Sequence, residues 1–309
     1  MKTEDIKAFV AVVQRQSVSH AADVLHITQP AITRRIQNLE QALGVDLLDR
    51  NTKPPRPTPM GRRVFEQCRA VLRELEALKK LAASDAAPAG DLRLGITQVI
   101  GDYVLVDALK QLSERFPDVQ ARLSTNWSTK LIAAVAAGEL DAATVLMPNT
   151  YAFPEHLAVD NLLALEMVPV GRRSDFDAET RYSLRDLHKR GWILNPEGCG
   201  FRSRLQRALA SQGLDMQVNL DTFGTELQLG LVAQGIGIGL APRSLLAASR
   251  HHEQLVALQL TDFKLDVNLW LVRLAGLGNL LPPVNQFGAA IAAGFGPAIH
   301  ARTAFSLAV

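Results

Sequence analysis

The sequence has 309 residues, 48% of them hydrophobic and 21% charged, an ordinary globular composition with apolar material for about two domains of roughly 150 residues. Thirty-three Lys and Arg stand against thirty-one Asp and Glu, a net +2, so total charge neither demands nor excludes a polyanionic partner. Two cysteines, Cys68 and Cys199, exclude a disulfide scaffold and point to a reducing compartment, the cytoplasm.

Charge is unevenly placed: fourteen basic and ten acidic residues lie before Ala89, nineteen and twenty-one after it. Met1 to Asp5 opens with mixed charge and no apolar run of signal-peptide length follows, which reads against export. The long uncharged stretch from Leu274 to Ala301 holds Pro282, Pro283, Pro297 and five glycines, which oppose a membrane-spanning helix.

From the start of the chain, Ile6, Phe9, Val10 and Val13 recur at helical spacing and predict a first helix. Ser19 is placed to cap a short helix to about His26 that buries Ala22 and Leu25, and Thr28 to cap the next, with Pro30 in its first turn. Along that helix Ile32, Ile36, Leu39 and Leu43 form one apolar stripe. Its other face presents Gln29, Thr33, Arg34 and Gln37 with Arg35 at the edge, and no acidic residue occurs from Gln29 to Asn38. A solvated bundle helix would also show a polar face. A short helix, a tight turn and a second helix faced with amides and arginine, however, is the helix-turn-helix arrangement, in which the second helix enters the major groove. There Gln pairs with adenine, Arg with guanine, and Thr meets a thymine methyl or a phosphate. Arg50, Lys53, Arg56, Arg62 and Arg63 follow around the Pro54 to Pro59 loop, where they can flank a duplex as a phosphate-contacting wing.

The segment "SVSHAADVLHITQPAITRRIQNLEQALGVDLLDR", Ser17 to Arg50, followed by "PTPMG", Pro57 to Gly61, resembles the LysR-type transcriptional regulators. The likeness includes the paired Ala21 and Ala22, the Gln29-Pro30-Ala31 entry to the reading helix, Leu39-Glu40, Leu43-Gly44 and Arg50; where the family usually has an aromatic ahead of the last acidic-Arg pair, this chain has Leu48. The expected DNA-binding set is Gln29, Pro30, Thr33, Arg34, Gln37, Arg50, Lys53 and Arg56.

Next, Thr58 can cap a helix with Pro59 at its first position, and Val64, Cys68, Val71, Leu75, Leu78 and Ala82 step alternately by four and three, a heptad seam. About 25 helical residues span roughly 37 Å, enough to hold two reading heads apart. A helix packed on its own domain would give a similar stripe, but the resemblance implies the linker helix that pairs two subunits. "AASDAAPAG", Ala82 to Gly90, has the composition of a joint.

Beyond it, Leu92–Thr97, Val119–Leu123 and Ala142–Leu146 read as strands alternating with helices over Val104–Phe116 and Ser128–Ala137, which argues parallel α/β. The likeness continues through "GDLRLGI", "ERFPDVQARL", "AAVAAGELDAATV" and "LVAQGIGIGLAP". It implies an effector-binding domain resembling periplasmic solute-binding proteins, two α/β lobes with a cleft between them. The expected division is a winged helix-turn-helix domain over 1–58, a linker helix over 59–83, a hinge over 84–89 and the effector domain over 90–309, with lobe one at 90–162 and 268–309 and lobe two at 163–267.

Ligands of such sheets sit beyond strand C-termini, where helix N-termini offer free N–H groups. Thr97, Gln98, Ser128, Phe201, Arg202 and Thr225 take those positions, each also readable as a cap or a surface residue. Several stand at positions matching the family, and the resemblance implies that together they contact a small, anionic effector such as a carboxylate.

Other motifs lead elsewhere only weakly. "GIGIG", Gly235 to Gly239, lacks a dinucleotide fingerprint's third glycine and reads as a glycine-rich strand. His251-His252 has no companion ligands, so no metal and no cofactor are expected. Cys199 resembles the reactive position of the family's peroxide-sensing branch, yet no second cysteine lies in this domain to resolve a sulfenic acid. With neither G-x-S-x-G nor H-E-x-x-H present, no catalytic residues are assigned. A solute-binding protein or an enzyme using the C-terminal domain alone is the rival reading, and neither needs a basic head on a heptad stem. A homodimer through the linker helix follows from the seam, and the resemblance extends it to a homotetramer.

Overall fold

The computed structural model describes residues 1–49, 52, 54–82 and 86–295 and divides into two compact units that change over between residues 85 and 86.

The first unit is helical. Helix α1 (Thr3–Arg15) buries Ile6, Phe9 and Val10, and α2 (Val18–Leu25) buries Ala21 and Ala22. The α2 cap is Ser17, whose side chain accepts from the His20 amide at 3.2 Å, not the expected Ser19. Helix α3 (Gln29–Leu43) is capped by Thr28 and ends at Gly44 in the left-handed region, φ 68°, where the amide closes on the Glu40 carbonyl. Ile32, Ile36 and Leu39 are buried, whereas Leu43, expected in the same stripe, is exposed. A short antiparallel ribbon follows, β1 (Leu48–Asp49) against β2 (Arg56–Pro57), and Leu48 packs into the head core in place of an aromatic.

Helix α4 (Pro59–Ala82) starts under a Thr58 cap that accepts from the Gly61 amide at 2.8 Å. A Cβ on Gly61 would stand 2.0 Å from the Leu47 carbonyl oxygen, so only glycine lets α4 approach the ribbon this closely. The buried Glu40 carboxylate fixes the same junction by accepting from the amides of Leu47 (2.8 Å) and Leu48 (3.2 Å). Glu40→Ala strands those buried donors and is expected to lower head stability by about 1–3 kcal/mol; chemical denaturation measures it, and an unchanged midpoint would contradict the role.

The α4 seam divides in two. Val64 and Cys68, with Leu72 beside the seam, pack on the head core, and burial pushes the Cys68 thiol pKa up, which suppresses its thiolate. Val71 and Leu78 stay 46% and 63% exposed. The side chain of Ala82, the last seam position, lies outside the described residues.

The second unit begins with β3 (Gly90–Ile96), a single turn α5 (Gln98–Gly101), α6 (Leu105–Arg115), β4 (Val119–Thr125), α7 (Ser128–Ala136) and β5 (Ala142–Met147). All but α5 are legible in the sequence. Then come β6 (Leu157–Arg172), β7 (Arg181–Tyr182), α8 (Leu184–Leu187), β8 (Trp192–Leu194), α9 (Gly200–Ala210), β9 (Val218–Asp221), α10 (Thr225–Ala233), β10 (Gly239–Pro242), α11 (Arg243–Leu246), β11 (Leu255–Ala257), β12 (Gln259–Leu260), β13 (Leu265–Leu274) and α12 (Leu281–Gly294). The main sheet runs β4-β3-β5-β13-β6-β10, with β11 also paired to β6.

The three strands legible in the sequence, β3, β4 and β5, pair in parallel as expected, and the strands that follow make the whole sheet mixed. β3 runs parallel to β4 and β5, but β13 is antiparallel to β5 and β6, and β10 and β11 are antiparallel to β6. The reason lies in two long strands that serve both lobes. One half of β6 pairs with the β13 segment beside β5, and its other half carries β10 and β11. The expected lobe limits at residues 162/163 and 267/268 fall inside these strands, and the β6–β13 register shifts at Leu269/Trp270. The "GIGIG" segment is also mostly not strand: Gly235 turns at φ 77° after α10, and β10 starts only at Gly239.

Candidate functional site

On α3 the structure exposes Gln29, Pro30, Thr33, Arg34 and Gln37 together, while Arg35 is half-buried. The face is set by the stripe behind it, because Ile32, Ile36 and Leu39 dock on the head and turn the intervening residues outward. Thr33 Oγ1 donates to the Gln29 carbonyl at 3.1 Å, leaving its methyl and a lone pair outward. Among the described residues Arg34 and Arg56 make no side-chain hydrogen bond or ion pair. Arg62 is occupied structurally, donating to the Pro57 carbonyl at 3.1 Å. Arg50 and Lys53 lie outside the described residues.

In the second unit, the C-terminal ends of β3, β4 and β5 in lobe one, and of β8 in lobe two, converge on a cavity of about 240 Å³. Thr97, Gln98, Ser128 and Phe201 all line it, as the sequence suggests. Thr97 is only 7% exposed, and its buried hydroxyl has no hydrogen-bond partner among the described residues. Ser128 is different: its hydroxyl donates to the Leu146 carbonyl and accepts from the Leu146 amide, both at 3.1 Å, so it clamps α7 onto β5. Gln98 donates to Asp102 at 3.0 Å.

Two expected contacts are off the lining. Arg202 turns away to an ion pair with Asp221 and a 3.2 Å bond to the Asn195 carbonyl. Thr225 is buried, and its amide donates to Asp102 Oδ2 at 2.6 Å. The cations at the cavity are instead Arg204 and Arg207, with Trp127 and the buried Cys199 beside them. Gly200, Arg204 and Arg207 are spaced i, i+4, i+7, the signal that would have found them once α9 was recognised as a helix.

The lobes are clasped beside this cavity. Trp127 stacks on Phe223 at 6.1 Å and 24°. The Tyr103 hydroxyl donates to Glu226, which also accepts from Arg250 at 3.2 Å. Burial, and secondarily the Glu226 carboxylate, push the Tyr103 pKa far above the usual phenol range, so the hydroxyl stays a donor.

Residues 3–62 match the family model described as a bacterial regulatory helix-turn-helix protein of the lysR family, and residues 85–296 match the LysR substrate binding domain. The chain belongs to the LysR family. It is similar to the HTH-type transcriptional regulator YofA of Bacillus velezensis, 28% identical over 87% of this chain and 90% of that protein. It is equally similar to the DNA-binding transcriptional dual regulator OxyR of Escherichia coli K12, 28% identical over 84% of each. Full-length OxyR C199D from Pseudomonas aeruginosa shares the fold, with a TM-score of 0.70 at 20% identity and 94% of both chains covered. CbnR complexed with its target DNA shares it at 0.55 and 20% identity, over 95% of this chain and 100% of that one. This LysR-type protein is a DNA-binding transcriptional regulator with an effector-binding domain, not an enzyme, as its relatives are regulators. Among the described residues no helix is long and apolar enough to cross a membrane.

Proposed function

We propose that α3 reads an operator in the major groove through Gln29, Pro30, Thr33, Arg34 and Gln37, while Arg50, Lys53 and Arg56 hold the flanking phosphates. A small anion in the interlobe cleft then alters how the heads engage DNA. The observation that carries the ligand reading is Thr97: a buried hydroxyl without a partner among the described residues is costly, and Thr97 lines a cavity that a ligand can fill. Thr97 and Gln98 supply hydrogen bonds, the α7 start at Ser128 supplies free amides, and Phe201 supplies an apolar wall. Arg202 and Thr225 act behind this shell, through Asp221 and Asp102. A reading head over 1–58, a stem over 59–83 and an effector domain from 90 are part of this reading, as is residence in the cytoplasm beside the DNA.

Assembly is the second part. Val71 and Leu78, exposed and seven residues apart on α4, are suited to a paired stem that makes a homodimer. In the effector unit β4 ends the main sheet, paired to β3 on one side only among the described residues, and Val106 on α6 is 79% exposed, which favours further pairing into a homotetramer.

A thermal-shift screen of small metabolites on the purified protein identifies the effector by ligand-linked stabilisation. Calorimetry then tests the cleft: Thr97→Val is expected to weaken the effector by about 1–1.5 kcal/mol, and unchanged affinity in Thr97→Val, Ser128→Ala and Phe201→Ala together would place the site elsewhere. The relatives described as hydrogen peroxide-inducible genes activators set the competing outcome. A response of operator binding to peroxide that Cys199→Ser abolishes would replace the metabolite reading.

A further inference from the structure

The cleft carries positive poles on both of its walls. On lobe two, α9 begins at Gly200 without a side-chain cap, and its first amides have no partner among the described residues. One turn on, Arg204 makes no hydrogen bond or ion pair among the described residues. One turn further, Arg207 uses only its Nε, on the Ser203 carbonyl at 3.2 Å. The lining contains these two guanidinium groups and no Asp or Glu. Arg202, on the same helix, shows the contrast, since Asp221 neutralises it outside the cavity. On lobe one, α7 also starts without a side-chain cap, next to the unpartnered buried hydroxyl of Thr97. The rest of the lining is mostly apolar, with Val99, Leu146, Met147 and Val267, and its other polar side chains, Gln98, Thr129 and Asn195, are uncharged.

From this we infer that the effector is an elongated dicarboxylate with an apolar spacer, one carboxylate on Thr97 and the α7 start, the other on Arg204, Arg207 and the α9 start. The inference rests on the cleft being the effector site. A monocarboxylate satisfies one pole and leaves the other unmatched. A ligand with an anion on each lobe gains its full affinity only when the lobes are together, which is the differential binding that a conformational switch requires.

Calorimetry on the full chain with the series succinate to suberate, the straight-chain monocarboxylates of matched length and 1,6-hexanediol tests it. One diacid is expected to bind at least about tenfold more tightly than its matched monoacid, with the diol silent. Arg204→Gln, at a solvent-exposed position, is expected to erase that preference while leaving monoacid binding in place, and Thr97→Val to weaken both. Equal binding of diacid and monoacid, indifference to Arg204→Gln, or no binding by any diacid would overturn the assignment. A monoacid bound with equal strength and lost in Thr97→Val would overturn the dicarboxylate alone and keep the cleft as the effector site.

Discussion

Leu78→Glu is expected to leave each chain folded and to separate the paired subunits, lowering operator affinity by about 10²–10⁴-fold. Leu78 is 63% exposed in the single chain, so a charge there has little to disturb in the monomer. In a paired stem the same glutamate would be buried without a partner, which is strongly unfavourable. Val71→Glu, at a residue 46% exposed, is expected to behave alike. Leu75→Glu, at a half-buried position of the same seam, is a less clean test because it also touches the chain's own packing. Light scattering together with duplex titration measures both effects. A wild-type protein that is monomeric at micromolar concentration would contradict the stem's role.

The second large effect belongs to the reading helix. Gln29→Ala and Arg34→Ala are each expected to weaken operator binding by about 1–3 kcal/mol and to relax preference at one base pair. Lys53→Ala and Arg56→Ala, directed at phosphates, are expected to weaken operator and scrambled duplexes alike and to flatten the salt dependence. Equal losses on both duplexes for Gln29→Ala and Arg34→Ala would remove those residues from base reading. Both substitutions are at exposed positions whose neighbours Ile32 and Ile36 hold the helix in place, so the head itself is not at risk.

The head is legible in its sequence because its signals are local. Thr28 and Thr58 cap as their sequence positions imply, because a cap depends only on residues three or so along the chain. At α2 the same kind of signal misleads, with two serines in reach and Ser17 rather than Ser19 taking the cap. The stem shows the limit of periodicity: the repeat is real, but spacing alone does not say that Val64 and Cys68 face the chain's own head while Leu78 faces outward.

In the effector unit, Thr97, Ser128 and Phe201, singled out at helix starts, line the cavity. What each one does there is not legible, because it is decided by partners far away in the chain. Ser128 is engaged by Leu146, the Thr225 amide by Asp102 and Arg202 by Asp221. Arg204 and Arg207 take the place expected of Arg202 because the α9 face toward the cleft is fixed by Leu205 and Leu209 docking on the opposite side. The mixed sheet is hidden for a related reason: the direction of β6 and β13 is fixed by their pairing with each other and with distant strands.

Selecting duplexes from a random pool with the full-length protein tests most directly whether this chain reads DNA sequence through α3. Enrichment of two related half-sites at a fixed spacing is expected for the wild type, and loss of preference at a defined position of each half-site for Arg34→Ala. A pool that the wild type retains without sequence enrichment, or an enriched sequence that Gln29→Ala and Arg34→Ala both leave unchanged, would contradict reading through α3.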